Sequence, residues 1–297
     1  MLGAVTTTRL EIEYDGTELY GWAAQPGARS VHGELTRALQ IIRRAPTELT
    51  VAGRTDRGVH AVAQVASYPG DPVDLYGLNA VLPNDIAVRS ALALERPFDA
   101  RRMATSRTYC FRLFVRRTPS PFGRRHALWW PYALDEDLLR ACAAAVLGRH
   151  DFTAFTPTQT QHVHFHRRIL RAEWVRTGTF LDLWIEGDAF MRHMNRILVG
   201  TMLQVANGRR PFEDFVALLD GAPRSAAGPT LSPEGLHLAG IAYPAELGGP
   251  ALAPDGWGAP PWADAPGGVA AGGRAADGEV DADPGASDGV AAPAVPQ

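Results

Sequence analysis

Residues 48–68 constrain the fold more tightly than any other stretch of the chain. Two strand-like runs, Glu48 to Ala52 and Ala61 to Tyr68, flank the segment Gly53-Arg54-Thr55-Asp56-Arg57-Gly58-Val59-His60. In the second run Val62, Gln64, Ala66 and Tyr68 alternate with Ala63, Val65 and Ser67, the period of two that a sheet requires. Burying unpaired charge is costly, so the Arg-Thr-Asp core belongs on a tight turn at the end of the sheet. Gly53 and Gly58 give that turn backbone freedom and let a bulky ligand approach the main chain. An arginine and a carboxylate two residues apart on such a loop form either a local surface ion pair or a phosphate donor beside a reactive acid.

Around this segment the patterning predicts an α+β fold. Strands are expected at Thr8 to Tyr14, Ile86 to Leu94, Thr108 to Val115, Ile169 to Arg176, Thr179 to Glu186 and Leu236 to Tyr243. Ser30 is the expected N-cap of a helix whose buried face carries Val31, Leu35, Ala38, Leu39 and Ile42. Further helices are expected at Asp135 to Leu147, at Phe190 to Asn207, and from Pro211 to near Gly221. Strands and helices do not alternate with the regular spacing of a doubly wound sheet, which favours α+β. A break near Ser120 to Tyr132 divides the chain into an N-terminal half, 1–120, and a C-terminal half, 121–245. Residues 246–297 turn to Ala, Gly, Pro and Asp, and so few large apolar groups predict a disordered tail. Trp257 and Trp262 are its two candidates for a docking element.

Charge is unevenly distributed. Residues 244–297 hold eight acids against one base, which leaves 28 basic and 24 acidic residues in 1–243, a net of +4. Lysine is absent, so every basic side chain is a planar, bidentate arginine suited to phosphate and base contacts. Cys110 and Cys142 are too few for a disulfide framework or a cysteine metal cluster. No apolar run approaches the ~18 residues of a membrane span, and Met1 to Arg9 lacks the basic and apolar pattern of a secretory signal. A cytoplasmic protein is expected.

The string Gly53 to Ala61, GRTDRGVHA, resembles the GRTDAGVHA signature of the TruA family of tRNA pseudouridine synthases. Seven matched positions at ~5% per residue arise by chance on the order of once per billion positions, so coincidence is not the explanation. Other segments resemble the family in the same order. They are Tyr14-Asp15-Gly16-Thr17 with Gly21-Trp22 and Gln25-Pro26, Ser30 to Leu35, Leu78-Asn79 with Leu82-Pro83 and Asp85-Ile86, and Arg107 to Phe111. His150-Asp151-Phe152 with Phe155, Phe190 to Gly200, and Pro233 to Leu236 complete the series, so the resemblance covers about residues 8–243. Arg57 stands where the family usually has Ala, an extra cation after the acid; Ala23-Ala24 and Asp99 also depart from the common pattern.

The resemblance implies two similar α/β halves with antiparallel sheets and a catalytic cleft between them. It implies isomerisation of uridine to pseudouridine at positions 38, 39 and/or 40 of the tRNA anticodon stem-loop. Asp56 would be the essential nucleophile or base, and Arg196 its charge partner, since an opposite charge favours the ionised form of an acid. Tyr109 would stack on the target uracil and Leu236 would pack on its other face. Arg54 would fill the gap left by the flipped base or hold its phosphate, and Arg192, four residues before Arg196 and expected on the same helical face, would meet phosphate. No cofactor and no metal are called for. A homodimer is implied, because +4 on one subunit is a thin footprint for a large polyanion, and the small side chains of Ala61 to Tyr68 are compatible with packing against a partner. His162, His164 and His166 are expected on one strand face, touching RNA; a metal-dependent hydrolase using them is the competing enzyme class, and a catalytically silent tRNA-binding relative is the other alternative.

Overall fold

Period-two apolar spacing builds most of the molecule. In the computed structural model, which describes residues 6–160, 162–254 and 258, Leu10, Ile12 and Tyr14 are buried on β1 (Thr7–Tyr14) while Glu11 and Glu13 stay partly exposed. α1 (Val31–Arg43) starts at Ser30, whose Oγ accepts from the Gly33 amide at 3.2 Å, and buries Val31, Leu35, Ala38 and Leu39 in the main core. There follow β2 (Thr50–Val51), β3 (His60–Pro69), α2 (Leu75–Val81), β4 (Ile86–Leu94), β5 (Ser106–Phe114), β6 (Leu128–Trp129), α3 (Glu136–Ala145) and β7 (Gly148–Asp151). The remaining elements are β8 (His166–Thr177), β9 (Phe180–Gly187), α4 (Met194–Ala206), α5 (Phe212–Ala217), β10 (Leu236–Ala242) and β11 (Ala251–Leu252).

The α+β expectation holds, with the antiparallel strands of both halves joined into one sheet. Its order is β4-β1-β3-β10-β5-β9-β8-β7, with β2 on β3, β6 on β5 and β11 on β10. β10 makes the junction. It runs parallel to β3, with His237 opposite His60 and Leu238 opposite Ala61, and antiparallel to β5. The last long strand of the sequence thus fills the middle of the sheet and removes what would be two exposed edges. Every residue from Ala61 to Tyr68 is buried within the one chain, so this stretch offers no surface to a partner; its small side chains serve packing on both faces of a central strand.

Two helical and tail expectations are corrected. The helix expected from Phe190 begins at Met194, because His193 lies in the left-handed region at φ 62° and breaks the helical path. Arg192 therefore precedes the helix and shares no face with Arg196. The tail expected from residue 246 is ordered at its start: Ala251 is fully buried, and β11 pairs Ala251 with Ile241. The cause is a buried arginine. Arg9, 1% exposed, donates from Nη1 to the Leu247 carbonyl at 2.7 Å and the Gly249 carbonyl at 2.8 Å, because a buried cation requires acceptors. The rest of that tail, with Trp257 and Trp262, lies outside the described residues.

Candidate active site

The Asp56 loop is held by the segment that follows β1. The Tyr14 hydroxyl is 2.7 Å from Thr55 Oγ1, and the Trp22 amide donates to the Thr55 carbonyl at 3.0 Å. Gln64 Nε2 donates to the Gly53 carbonyl at 2.7 Å and to the Tyr14 oxygen at 3.3 Å. Burial pushes the Tyr14 hydroxyl up to about 12, against the hydrogen bonds from Thr55 and Gln64, so it works as a neutral bridge. The Val59 amide donates to the Asp56 carbonyl at 3.1 Å, closing a turn in which Gly58 takes φ +76°. Gly16 presses on this turn so closely that a Cβ there would lie 2.1 Å from the Val59 carbonyl oxygen. Gly16→Ala is accordingly expected to cost about 1–3 kcal/mol, the usual range for overpacking against backbone, and to lower turnover by displacing Asp56. Urea unfolding with an unchanged m-value checks the first effect, and steady-state kinetics the second.

Asp56 faces two cationic or potentially cationic side chains. Its Oδ2 lies 3.7 Å from Arg196 Nη1 and 3.6 Å from His193 Nε2, and the carboxylate is 26% exposed. Arg196 enters from the first turn of α4, mostly buried, and its Nε donates to the Leu231 carbonyl at 2.6 Å. Burial lowers its pKa, while Asp56 and Glu234 push it back up; the guanidinium remains charged at neutral pH. Burial also pulls the His193 imidazole below its ordinary value, with Arg196, Arg192 and Arg224 adding to the fall and Asp56 opposing it. His193 is the residue that sequence reasoning missed, and its left-handed backbone is what turns it toward the acid's side of the cleft.

Tyr109 lies on β5, 8% exposed, with Phe190 edge-on at 5.1 Å between ring centroids. Burial pushes its hydroxyl well above the ordinary tyrosine value, and the neighbouring Tyr14 and Asp56 add to this. In the β10–β5 register Leu236 stands opposite Phe111 and Leu238 opposite Tyr109. Leu236 and Tyr109 therefore project from the same face of the sheet, and both line the cleft around Asp56. Arg54 and Arg192 are exposed on the same cleft, with Arg101, Arg102 and Arg149 further along its walls. Arg57 also lines it, with its guanidinium 4.1 Å from the centre of the Tyr20 ring; this extra cation is engaged in stacking.

His162, His164 and His166 line the cleft as well. The strand expected to align them begins only at His166. Among the described residues they join no group of three metal-ligating side chains. The cleft is about 4150 Å³, several times the roughly 300–1,000 Å³ of a small-molecule pocket.

An arginine-walled cleft of this size, with the Asp56 carboxylate beside a mostly buried arginine, has the dimensions and charge to take a large polyanion. Residues 142–244 match the family model described as tRNA pseudouridine synthase. A Burkholderia multivorans protein named tRNA pseudouridine synthase A is 39% identical over 258 residues, spanning 85% of this chain and 94% of its own length. A Myxococcus xanthus protein of the same name is 40% identical over 256 residues, spanning 84% and 95%. The chain belongs to the TruA family of tRNA pseudouridine synthases. Among solved structures, a Cbf5-Nop10-Gar1 complex overlaps 66% of this chain and 54% of its own at 11% identity, with a TM-score of 0.30.

Proposed function

We propose that this protein isomerises uridine to pseudouridine at positions 38, 39 and/or 40 of the tRNA anticodon stem-loop, with Asp56 as nucleophile or base. The observation that carries the reading is the placement of Asp56 between Arg196 and His193 in an arginine-walled cleft. The reaction breaks the N1–C1′ bond, turns the uracil, joins C5 to C1′, and moves the C5 proton off the ring as N1 gains one. It is redox-neutral, so it needs no oxidant or reductant. Attack at C1′, addition at C6, and removal of the C2′ proton through a glycal all use one positioned carboxylate.

Unstacking the target base costs a few kcal/mol. Tyr109 and Leu236 offset that cost by sandwiching the uracil, Arg54 occupies the vacated stack or its phosphate, and Arg192 holds backbone phosphate. The halves 1–120 and 121–245 act as the two walls of the cleft. Two copies of the chain form the working enzyme in the cytoplasm, one holding the tRNA body while the other presents Asp56. Among the described residues no helix is long and apolar enough to cross a membrane.

Release of tritium from tRNA carrying [5-³H]uridine tests the reaction. Release approaching one equivalent per target site is expected. No release from folded, tRNA-bound protein would assign the scaffold to a silent binder, and hydrolysis products in its place would assign it to a hydrolase. Light scattering tests the assembly. A dimer is expected for the full chain and for a chain ending at Pro254, which keeps buried Ala251 and the carbonyls that satisfy Arg9. A fully active monomer would overturn the dimer.

A further inference from the structure

The sheet carries a second cluster of chemistry on the face turned away from Asp56. Leu236 and Leu238 project with Tyr109 into the cleft side, so His237 between them projects through the opposite face. It stands opposite Cys110 on β5 and, across the parallel pair, opposite His60 on β3. The His60 and His237 rings stack with centroids 4.7 Å apart at 19°. His126, from the segment before β6, brings its ring centroid to 5.0 Å from His60 and 6.4 Å from His237. One ring nitrogen of each of the three lies within 4.8 Å of the others. The reaction proposed above uses none of them.

Two further observations point to a ligand. His60 is 2% exposed, and its Nε2 is buried without a hydrogen-bond partner. Its Nδ1 receives the Gly16 amide at 3.0 Å and also lies 3.2 Å from Asp15 Oδ1. Either tautomer leaves an atom unmatched. A proton on Nε2 lets Nδ1 accept from Gly16 but itself has no acceptor, and a proton on Nδ1 suits Asp15 but opposes the Gly16 amide and leaves Nε2 as a buried lone pair. The second observation is Asp15 itself, whose Oδ2 lies 3.7 Å from His126 Nε2. A carboxylate behind ligating histidines is the usual outer partner of a metal-bound imidazole.

We propose that His60, His126 and His237 form a binding site for a Zn²⁺-like divalent cation that ties β3 to β10 behind the Asp56 loop. Zn–N bonds of about 2.0–2.1 Å set tetrahedral nitrogens about 3.3 Å apart, so the trio closes by up to about 1.5 Å. His126 supplies its share of that movement, its side chain 50% exposed on a segment outside the core strands, and any closure between His60 and His237 comes from rotation of those two side chains on β3 and β10. Asp15 accepts the His60 Nδ1 proton, the tautomer that frees Nε2 to ligate and in which the Gly16 amide no longer donates to Nδ1, and a water takes the fourth position. The nearby cations are already engaged: Arg112 Nη2 lies 2.8 Å from Asp182 Oδ2, and Arg125 Nη2 lies 3.6 Å from Glu18 Oε1. The ion would act structurally, since His60 ends the Asp56 loop and His237 follows Leu236.

The test uses the full-length, untagged protein, stripped with EDTA and titrated with Co²⁺ and with Zn²⁺. One equivalent of Co²⁺ is expected to give the visible d–d bands of a tetrahedral site, and micromolar Zn²⁺ to raise the melting temperature by at least a few degrees. His126→Ala should abolish both responses while the metal-free melting temperature stays as in the parent. His164→Ala, in the exposed histidine segment, should retain them. His126→Asn provides a second variant should alanine disturb the segment. Absence of saturable binding at micromolar metal, or retention of the Co²⁺ spectrum in both His126 variants, overturns the site. Neither readout requires turnover, so failure here is distinct from failure of the proposed reaction.

Discussion

Asp56→Asn is expected to abolish pseudouridine formation while leaving the fold and tRNA affinity nearly unchanged. The exchange is close to isosteric and removes only charge and nucleophilicity. Loss of a single reacting side chain in other enzymes costs on the order of 10⁴–10⁶ in turnover, and a similar fall is expected here. The loop should survive, because its hydrogen bonds use main-chain atoms and Thr55: the Val59 amide to the Asp56 carbonyl, the Trp22 amide to the Thr55 carbonyl, and Tyr14 to Thr55 Oγ1. The carboxylate is partly exposed and meets its two charge partners only at 3.6 and 3.7 Å, so stability should move by less than about 1 kcal/mol. Single-turnover tritium release with enzyme in excess measures the chemistry, and filter binding measures affinity. Activity above a trace in a folded Asp56→Asn protein would remove Asp56 from the reaction.

The Asp56 loop was legible in the sequence because it combines two local signals, glycines that punctuate strands and charges that cannot enter them. Strand β3 and the Ser30 cap were legible for the same reason, since period-two alternation and an N-cap act over a few residues. What the sequence left hidden depends on contacts far apart in the chain. Alternation places Arg9 beside Glu11 and Glu13 on the polar side of β1, yet it is 1% exposed, because its acceptors are carbonyls of Leu247 and Gly249 more than 230 residues away. Composition alone therefore started the tail too early. The parallel pairing of β10 with β3 is equally non-local, and it brings His60 and His237 together from distant parts of the chain. His193 was hidden by a local signal that misleads. The apolar spacing of Phe190, Met194, Ile197 and Leu198 reads as helix straight through it, and only the known tolerance of histidine for positive φ hints otherwise.

Arg196→Met should lower kcat by about 10²–10³, the cost of removing one preorganised electrostatic contact from a reaction centre, with a much smaller change in KM. The guanidinium does two things at once. Nη1 faces Asp56 at 3.7 Å, and Nε is committed to the Leu231 carbonyl at 2.6 Å. Methionine fills the space and supplies neither interaction, while Arg196→Lys keeps the charge without the fork that serves both, so an intermediate loss of about tenfold is expected. The variant also has a distinctive pH dependence. In the parent, burial and the charge of Arg196 both lower the His193 pKa, and Asp56 raises it. Removing Arg196 deletes one lowering influence and leaves Asp56 in place, so the His193 pKa rises toward its ordinary value near 6.5. Protonated His193, with Nε2 3.6 Å from Asp56 Oδ2, then substitutes in part for the missing cation. Residual activity of Arg196→Met should therefore climb as pH falls from about 8 to 6, relative to the parent, and the climb should disappear in Arg196→Met/His193→Ala. Tritium-release kinetics across that range decide the matter. Turnover within threefold of the parent, or a residual activity that ignores both pH and His193, would show that Asp56 does not depend on this cationic pair.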